Sequence, residues 1–298
     1  MKILIIGSKG FIGSHLVTYF QSKDYDVWQC DVVVDYVERK YFQVDVSNSD
    51  FLQLFEEQQF EMCINCSGAA SVPDSLVHPM RDFNLNTLLV FNVLNAIYKH
   101  NRTCKFMNLS SAAVYGNPQQ LPIKESFNLN PISPYGKHKL MAEMLCSEFY
   151  TNFGLQTCSL RIFSAFGEGL KKQLFWDIFQ KMKKSNTLEL YGTGKETRDF
   201  IHVEDIAQSV ELAIHKARFE ADFINVANGM EISISEAVLL FIKGVGWHGE
   251  IKFLGTERLG DPLYWCADID VIKSFGYKQQ ITLENGLNQY IKWVKENS

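Results

Sequence analysis

Short apolar runs alternate with longer amphipathic stretches through the first half of the chain. Runs at 3–6, 27–30, 42–45, 62–66, 105–110 and 157–163 have the length and character of buried strands. Between them, 11–22, 50–58, 80–101 and 134–153 read as helices. This alternation predicts an α/β fold: a doubly wound parallel sheet of the Rossmann type, because each crossover lays a helix back on the sheet. The helix at 134–153 has a clear start, with Ser133 as a cap and Pro134 in the first turn, where a missing N–H costs nothing.

After Gly167 the pattern loosens into helices at 174–184, 203–216, 234–243 and 283–296, with short strands at 189–191, 200–202, 223–226 and 251–253. No repeat, low-complexity stretch or linker interrupts the chain. The expected division is a dinucleotide-binding domain over 1–166 and a smaller α/β substrate lobe over 167–298, with segments near 200–226 returning to the first domain. A net charge of −5 argues against a nucleic-acid partner, which needs a basic face. An anionic ligand must then be held by a few placed cations. The opening run, Met1 to Gly7, is too short for a signal peptide or membrane span, and no later stretch approaches ~18 apolar residues. The expectation is a cytoplasmic protein without a membrane partner. Its seven cysteines, an odd number without secreted-domain spacing, fit a reducing compartment. Cys63 and Cys66 form a C-x-x-C within an apolar strand and lack a second pair, so they read as buried hydrophobes and no metal site is expected.

Candidate chemistry begins at the first turn. Gly7, Gly10 and Gly13 lie between a strand and a helix: Gly7 permits the turn, Gly10 the approach of a pyrophosphate, and Gly13 close packing of helix on strand. Phe11 and Ile12 open the helix, whose free N–H groups and dipole favour phosphate. Asp31 ends the second strand, where a carboxylate can accept both ribose hydroxyls and would repel a 2′-phosphate, so NAD is favoured over NADP. The G-x-x-G-x-x-G spacing resembles the extended short-chain dehydrogenase/reductases. That resemblance implies adenine contacts from Asp45 and Val46, a nicotinamide-ribose floor at Ser67, Gly68 and Ala69, and a bracing role for Asn86 in the long helix.

Tyr135 and Lys139 stand at i and i+4, on one helix face. A free tyrosine, with a pKa of about 10, is a poor base near neutrality. A nearby ammonium together with a positively charged nicotinamide would favour its phenolate, and Lys139 can also hold the nicotinamide ribose. Ser111, at the carboxyl end of the fifth strand, can hydrogen-bond the hydroxyl or ketone that Tyr135 addresses. The stretches from Ser110 to Gly116 and from Ser133 to Lys139 resemble the S-S-x-x-V-Y-G and S-P-Y-x-x-x-K motifs of the nucleotide-sugar epimerase/dehydratase branch. The likeness continues through 160–164, 198–203 and 258–261. It implies Ser110 and Phe163 beside the cofactor, Ser164 beside the substrate, Arg198 and Arg258 on its pyrophosphate and Asp261 on its nucleotide ribose. Arginine suits that task because its fork of donors matches phosphate oxygens. The resemblance further implies a nucleotide-diphosphate-sugar substrate and a homodimer formed through the helices at 80–101 and 134–153.

Between Ser111 and Val114, relatives that eliminate water carry Asp-Glu, decarboxylases keep the Glu, and 3,5-epimerases carry Cys at the second position. Here Ala112 and Ala113 can do no acid–base work. The surviving chemistries need only hydride transfer and one proton: epimerisation at C4, or reduction of a 4-keto sugar by NAD(P)H. Asp31 favours the epimerase. An NAD-binding sensor on the same fold is a third reading, though such proteins tend to lose the tyrosine or lysine kept here. Departures from the family bear on the substrate. Asn65 stands in place of His, Leu89 and Val90 replace Gly-Thr, Ser164 replaces Asn, and Ala70 lacks the lysine of UDP-galactose 4-epimerases. Trp265, or Tyr264 in a shifted register, falls where a pocket wall would gate N-acetyl sugars.

Overall fold

The computed structural model describes residues 1–45, 50–256 and 258–298. The first half contains β1 (Lys2–Ile6), α1 (Phe11–Gln21), β2 (Asp26–Asp31), β3 (Tyr41–Gln43), α2 (Leu52–Glu57) and β4 (Met62–Asn65). It continues with α3 (Val72–Val77), α4 (Pro79–Phe83), α5 (Leu89–His100), β5 (Lys105–Ser111), α6 (Pro134–Phe153) and β6 (Thr157–Ile162). The second half adds β7 (Ser164–Phe166), α7 (Gln173–Met182), β8 (Thr187–Leu190), β9 (Thr197–Arg198), β10 (Phe200–His202) and α8 (Val203–Lys216). Then come β11 (Glu220–Val226), β12 (Ile232–Ser233), α9 (Ile234–Val245), β13 (Glu250–Phe253), α10 (Asp270–Ser274) and α11 (Leu283–Asn297).

Seven strands form one sheet in the order β11-β6-β5-β4-β1-β2-β3, and every neighbouring pair is parallel. Period-two alternation sends Ile3 and Ile5 to one face, with Leu16 and Phe20 of α1 and Ile206 and Val210 of α8. Leu4 and Ile6 point to the other, with Phe55 of α2, Val93 and Leu94 of α5 and Phe149 of α6. Both faces are covered, which is why the strands read as continuous apolar runs. Chain order reverses between β1 and β4, since β1 leads outward to β2 while β4 lies on its other side. A crevice opens at the carboxyl ends of the strands at such a reversal. A third apolar cluster joins Phe175 and Ile178 of α7, Phe241 of α9 and Tyr290 and Val294 of α11 beside that crevice.

Three expectations change. The third strand ends at Gln43, so Asp45 lies beyond it. The helix expected over 80–101 is α4 and α5 joined by a π turn over Asn84–Leu88, and Asn86 sits in that turn. Short elements such as α3, β7, β9, β12 and α10 carry too few residues to display a period, and the pattern passed over them. Among the described residues no helix is long and apolar enough to cross a membrane.

Candidate active site

Backbone packing, more than side chains, builds the turn after β1. A Cβ on Gly13 would lie 2.0 Å from the Gly7 carbonyl oxygen, and one on Gly7 would lie 2.7 Å from the Ser67 amide nitrogen. Gly7 also takes φ +79°, a left-handed conformation costly for other residues. The Gly10 amide donates to the Gly7 carbonyl at 3.0 Å and Gly10 precedes α1 as its cap. Gly10, Phe11 and Ile12 thereby line a cavity of about 700 Å³ at the positive end of the helix. Asp31 closes the far side of this turn, accepting from the amides of Lys9 at 2.8 Å and Val32 at 2.7 Å. Asp45 follows β3 on the same side of the sheet, and Val46 lies outside the described residues.

The cavity continues over Ser67, Gly68 and Ala69, past the end of β4. A Cβ on Gly68 would come within 2.5 Å of Asn86 Oδ1 and 3.4 Å of Lys139 Nζ, so glycine keeps this floor open. Asn86 braces it from behind: Nδ2 donates to the Ala69 carbonyl at 3.0 Å, and the buried Oδ1 has no protein partner. Asn65 takes a structural task. Its Nδ2 donates to Asn108 Oδ1 at 3.1 Å, tying β4 to β5, and its Oδ1 accepts from the Ser67 amide and hydroxyl.

Ser133 accepts from the Gly136 amide at 3.1 Å and fixes the start of α6, placing Tyr135 and Lys139 on the cavity wall. Ser111 reaches the same wall from the end of β5; its Oγ accepts from the Ala113 amide at 3.2 Å, and its hydroxyl lowers the neighbouring Tyr135 phenol. Burial pushes the Tyr135 hydroxyl up to about 12; the Ser111 hydrogen bond opposes this, while the Asp82 charge adds to it. Lys139 does not by itself offset that rise. Its ammonium donates to the Leu109 carbonyl at 2.9 Å, and burial brings it down to about 8. Desolvation outweighs the single charge, so lowering the phenol needs a further positive charge in the cavity.

Ser110 lines the cavity, but its hydroxyl donates to Glu143 Oε1 at 2.6 Å. Glu143 in turn takes a two-pronged contact from Arg161, at 3.0 Å from Nε and 2.8 Å from Nη2. This buried pair anchors α6 to β6 behind the site; the sequence pointed to Arg161 only, as part of the 160–164 stretch, and not to Glu143.

The facing wall is assembled from distant segments. Phe163, Ser164, Arg198, Arg258, Asp261 and Trp265 all line the cavity. Arg198 lies over the Trp265 ring at 5.6 Å, and Trp265 Nε1 donates to the Gly116 carbonyl at 3.0 Å. Tyr264 is half exposed and off the wall, so of the two it is Trp265 that lines the cavity. Burial raises the Asp261 carboxyl, against the lowering influence of Arg258 and Arg198. Of the two alanines, Ala113 faces the cavity, whereas Ala112 is buried in the core. Lys172, Asp177, Lys181 and Glu196 also line this wall. Sequence reasoning missed them because they belong to no motif, and burial among the walls lowers the Lys172 ammonium.

A parallel sheet with a glycine-built phosphate turn and a Tyr–Lys–Ser set at its carboxyl edge defines a dinucleotide-dependent enzyme of the short-chain reductase type. The chain belongs to the NAD-dependent epimerase/dehydratase family, whose description matches residues 3–227. The UDP-glucose 4-epimerase of Pisum sativum is 29% identical over 99% of this chain and 96% of its own length. The UDP-glucuronate 4-epimerase of Thermodesulfobacterium geofontis is 25% identical over 99% and 96%. The crystal structure of UDP-glucuronic acid 4-epimerase from Bacillus cereus, in complex with UDP-glucuronic acid and NAD, matches with a TM-score of 0.90 and 24% identity, each chain covered in full (100%). That last likeness speaks for the fold. NAD fits the cradle described: the glycine turn leaves room for a pyrophosphate, Gly68 leaves room beside Lys139, and the helix start supplies donors.

Proposed function

We propose that this protein epimerises a nucleotide-diphosphate sugar at C4 through a transient 4-keto intermediate. The observation that carries the proposal is the pairing of Tyr135 with Ser111 on a cavity wall where the neighbouring position, Ala113, offers only a methyl group. Such a wall serves one proton transfer at one oxygen. It lacks, between Ser111 and Val114, the second acid or base that relatives use for elimination or decarboxylation.

Bound NAD supplies a hydride acceptor for C4 and later a donor to its opposite face. Tyr135 Oη takes the 4-hydroxyl proton as the C4–H bond breaks, and returns it when the ketone is reduced. Ser111 holds the same sugar oxygen in line, and Lys139 holds the nicotinamide ribose and adds positive charge beside the phenolate. Gly7, Gly10, Phe11, Ile12, Gly13, Asp31 and Asp45 hold the adenosine half of the cofactor; Ser67, Gly68, Ala69, Asn86, Ser110 and Phe163 shape the other half. Arg198 and Arg258 clamp the substrate pyrophosphate, Asp261 its ribose, and Ser164 stands beside its phosphates. The names of the relatives favour UDP as the nucleotide. We take residues 1–166 as the cofactor domain and 167–298 as the substrate lobe. A homodimer is supported by the exposed apolar residues Met80, Phe91, Met141 and Met144 on α4, α5 and α6, and a monomeric mass by light scattering would refute it. The free thiols suit a cytoplasmic setting.

Denaturing release of cofactor from purified protein tests the reaction type. Stoichiometric NAD⁺ carried through purification is expected of an enzyme that regenerates its own cofactor. An empty site with NADPH-dependent reduction of a 4-keto sugar would replace epimerase by reductase. Bound NAD with no turnover of any nucleotide sugar, and biology unaffected by Tyr135→Phe, would mark a sensor.

A further inference from the structure

The first turns of α6 are gripped from outside by three polar contacts. Ser75 Oγ on α3 accepts from the Tyr135 amide at 3.2 Å, and Thr87 Oγ1 in the π turn donates to the His138 carbonyl at 3.0 Å. The third contact is between ionisable groups: Asp82 Oδ1 on α4 meets His138 Nδ1 at 2.6 Å. Asp82 is 1% exposed, and its Oδ2 has no hydrogen-bond partner. A carboxylate so deeply buried is costly, and one hydrogen bond to a histidine leaves half of its acceptor capacity unused. His138 lies in the turn between Tyr135 and Lys139, so this carboxylate is held against the segment that carries both.

We propose that Asp82 is a positioning residue for the reaction: through its buried contact with His138 its carboxylate is held against the first turns of α6, the segment that carries Tyr135 and Lys139. The inference rests on Tyr135 being the proton-transfer group. Other groups around the two are differently disposed. Ser111 from β5 lowers Tyr135, and Lys172 before α7 lowers Lys139. Glu143, one turn further along α6, raises Lys139 but is engaged by Arg161 of β6; Cys66 after β4 also raises it. Asp74 and Arg81, on α3 and α4, pair with each other on the outer side at 2.5 Å, and His78 stands between those two helices. Asp82 raises both Tyr135 and Lys139. It therefore helps Lys139 stay charged and restrains phenolate formation, with or without the cofactor's positive ring beside it.

Asp82→Asn keeps the shape and removes the charge. In the NAD-loaded protein, the tyrosinate absorbance assigned by subtracting Tyr135→Phe should appear at a pH lower by about half a unit or more. The acid limb of kcat/KM should shift in the same direction, because the base is then available at lower pH. Asp82→Glu restores the charge and should bring the titration back toward that of the parent. An unmoved titration in Asp82→Asn, or an Asp82→Glu that behaves like Asp82→Asn, overturns the proposal. Should Asp82→Asn fail to fold, Asp82→Ser serves. It removes the charge and leaves a smaller polar group, so a downward shift supports the proposal, and an unmoved or upward one overturns it. Full turnover in Tyr135→Phe would instead overturn the assignment of Tyr135 itself, and so separates the two failures.

Discussion

The two walls of the cleft are made of different material. On the cofactor side, β1, its turn and α1 form a continuous stretch in which the close contacts are between backbone atoms: Gly13 against the Gly7 carbonyl, Gly7 against Ser67. On the facing side, the groups that line the cavity are side chains brought from β7, β9 and the loop after β13, with Trp265 pinned to the Gly116 carbonyl. Backbone geometry admits very few sequences, because any side chain at Gly13 collides. A wall of side chains tolerates exchange, so long as charge and volume at the ligand are kept. On the proposed function, the first wall fixes the cofactor and the second is where differences in the sugar would be read.

Breaking the backbone wall should have the largest effect. Gly13→Val places atoms where only 2.0 Å separates a Cβ from the Gly7 oxygen, and helix and strand must part to admit them. A loss of about 4 kcal/mol or more in chemical unfolding is expected, with no NAD retained on purification. Tyr135→Phe comes next, and it sharpens the contrast because it touches chemistry and leaves both walls standing. Turnover should fall by about 10²–10⁴-fold while cofactor content and unfolding midpoint stay near those of the parent. A variant that loses NAD along with activity would show that Tyr135 serves binding instead.

The difference between the walls also explains what could be read from the chain. Gly7, Gly10 and Gly13 are local in sequence, and so are Tyr135 and Lys139 on one helix face; each announces its geometry through spacing alone. The sheet was legible for the same reason, since burial on both faces writes each strand as an apolar run. Strand and helix ends blurred where the signal is weakest, at β3 and at the π turn that carries Asn86. Arg198 and Arg258 were found through family motifs, with no spacing to place them on a common wall. Lys172 and Glu196 carry no motif, and only the fold brings them to the cavity. The Tyr135 hydroxyl is instructive as well. Spacing predicts an ammonium nearby, but whether that charge or burial wins depends on where Lys139 points, and it points to the Leu109 carbonyl.

Arg258→Met tests the side-chain wall. The long side chain keeps most of the volume and removes the forked cation. With UDP-glucose as probe, KM should rise about ten- to a hundredfold with little change in kcat, because the lost contact is made equally in ground and transition states. Arg198→Met should behave similarly, with an added cost from the lost contact over the Trp265 ring. A fall in kcat with KM unchanged would mean these arginines steer the reacting sugar and do not clamp its phosphates.

The smallest effect is expected at Asp31, where the cofactor wall borrows a side chain. Its carboxylate already accepts from the Lys9 and Val32 amides, so it is held in place before any ribose arrives. Asp31→Asn retains one acceptor oxygen and the same size, and the turn should survive. What it removes is the negative charge that repels a 2′-phosphate and the charge-assisted bonds to the ribose hydroxyls. The preference for NAD over NADP, measured as a ratio of dissociation constants in calorimetric titrations, should therefore narrow by about tenfold, one charged hydrogen bond's worth. The change should come from weaker NAD binding, through the lost charged bond, and from tighter NADP binding, through the lost repulsion. An unchanged ratio would show that Asp31 does not select NAD and would place that selection elsewhere in the cofactor wall.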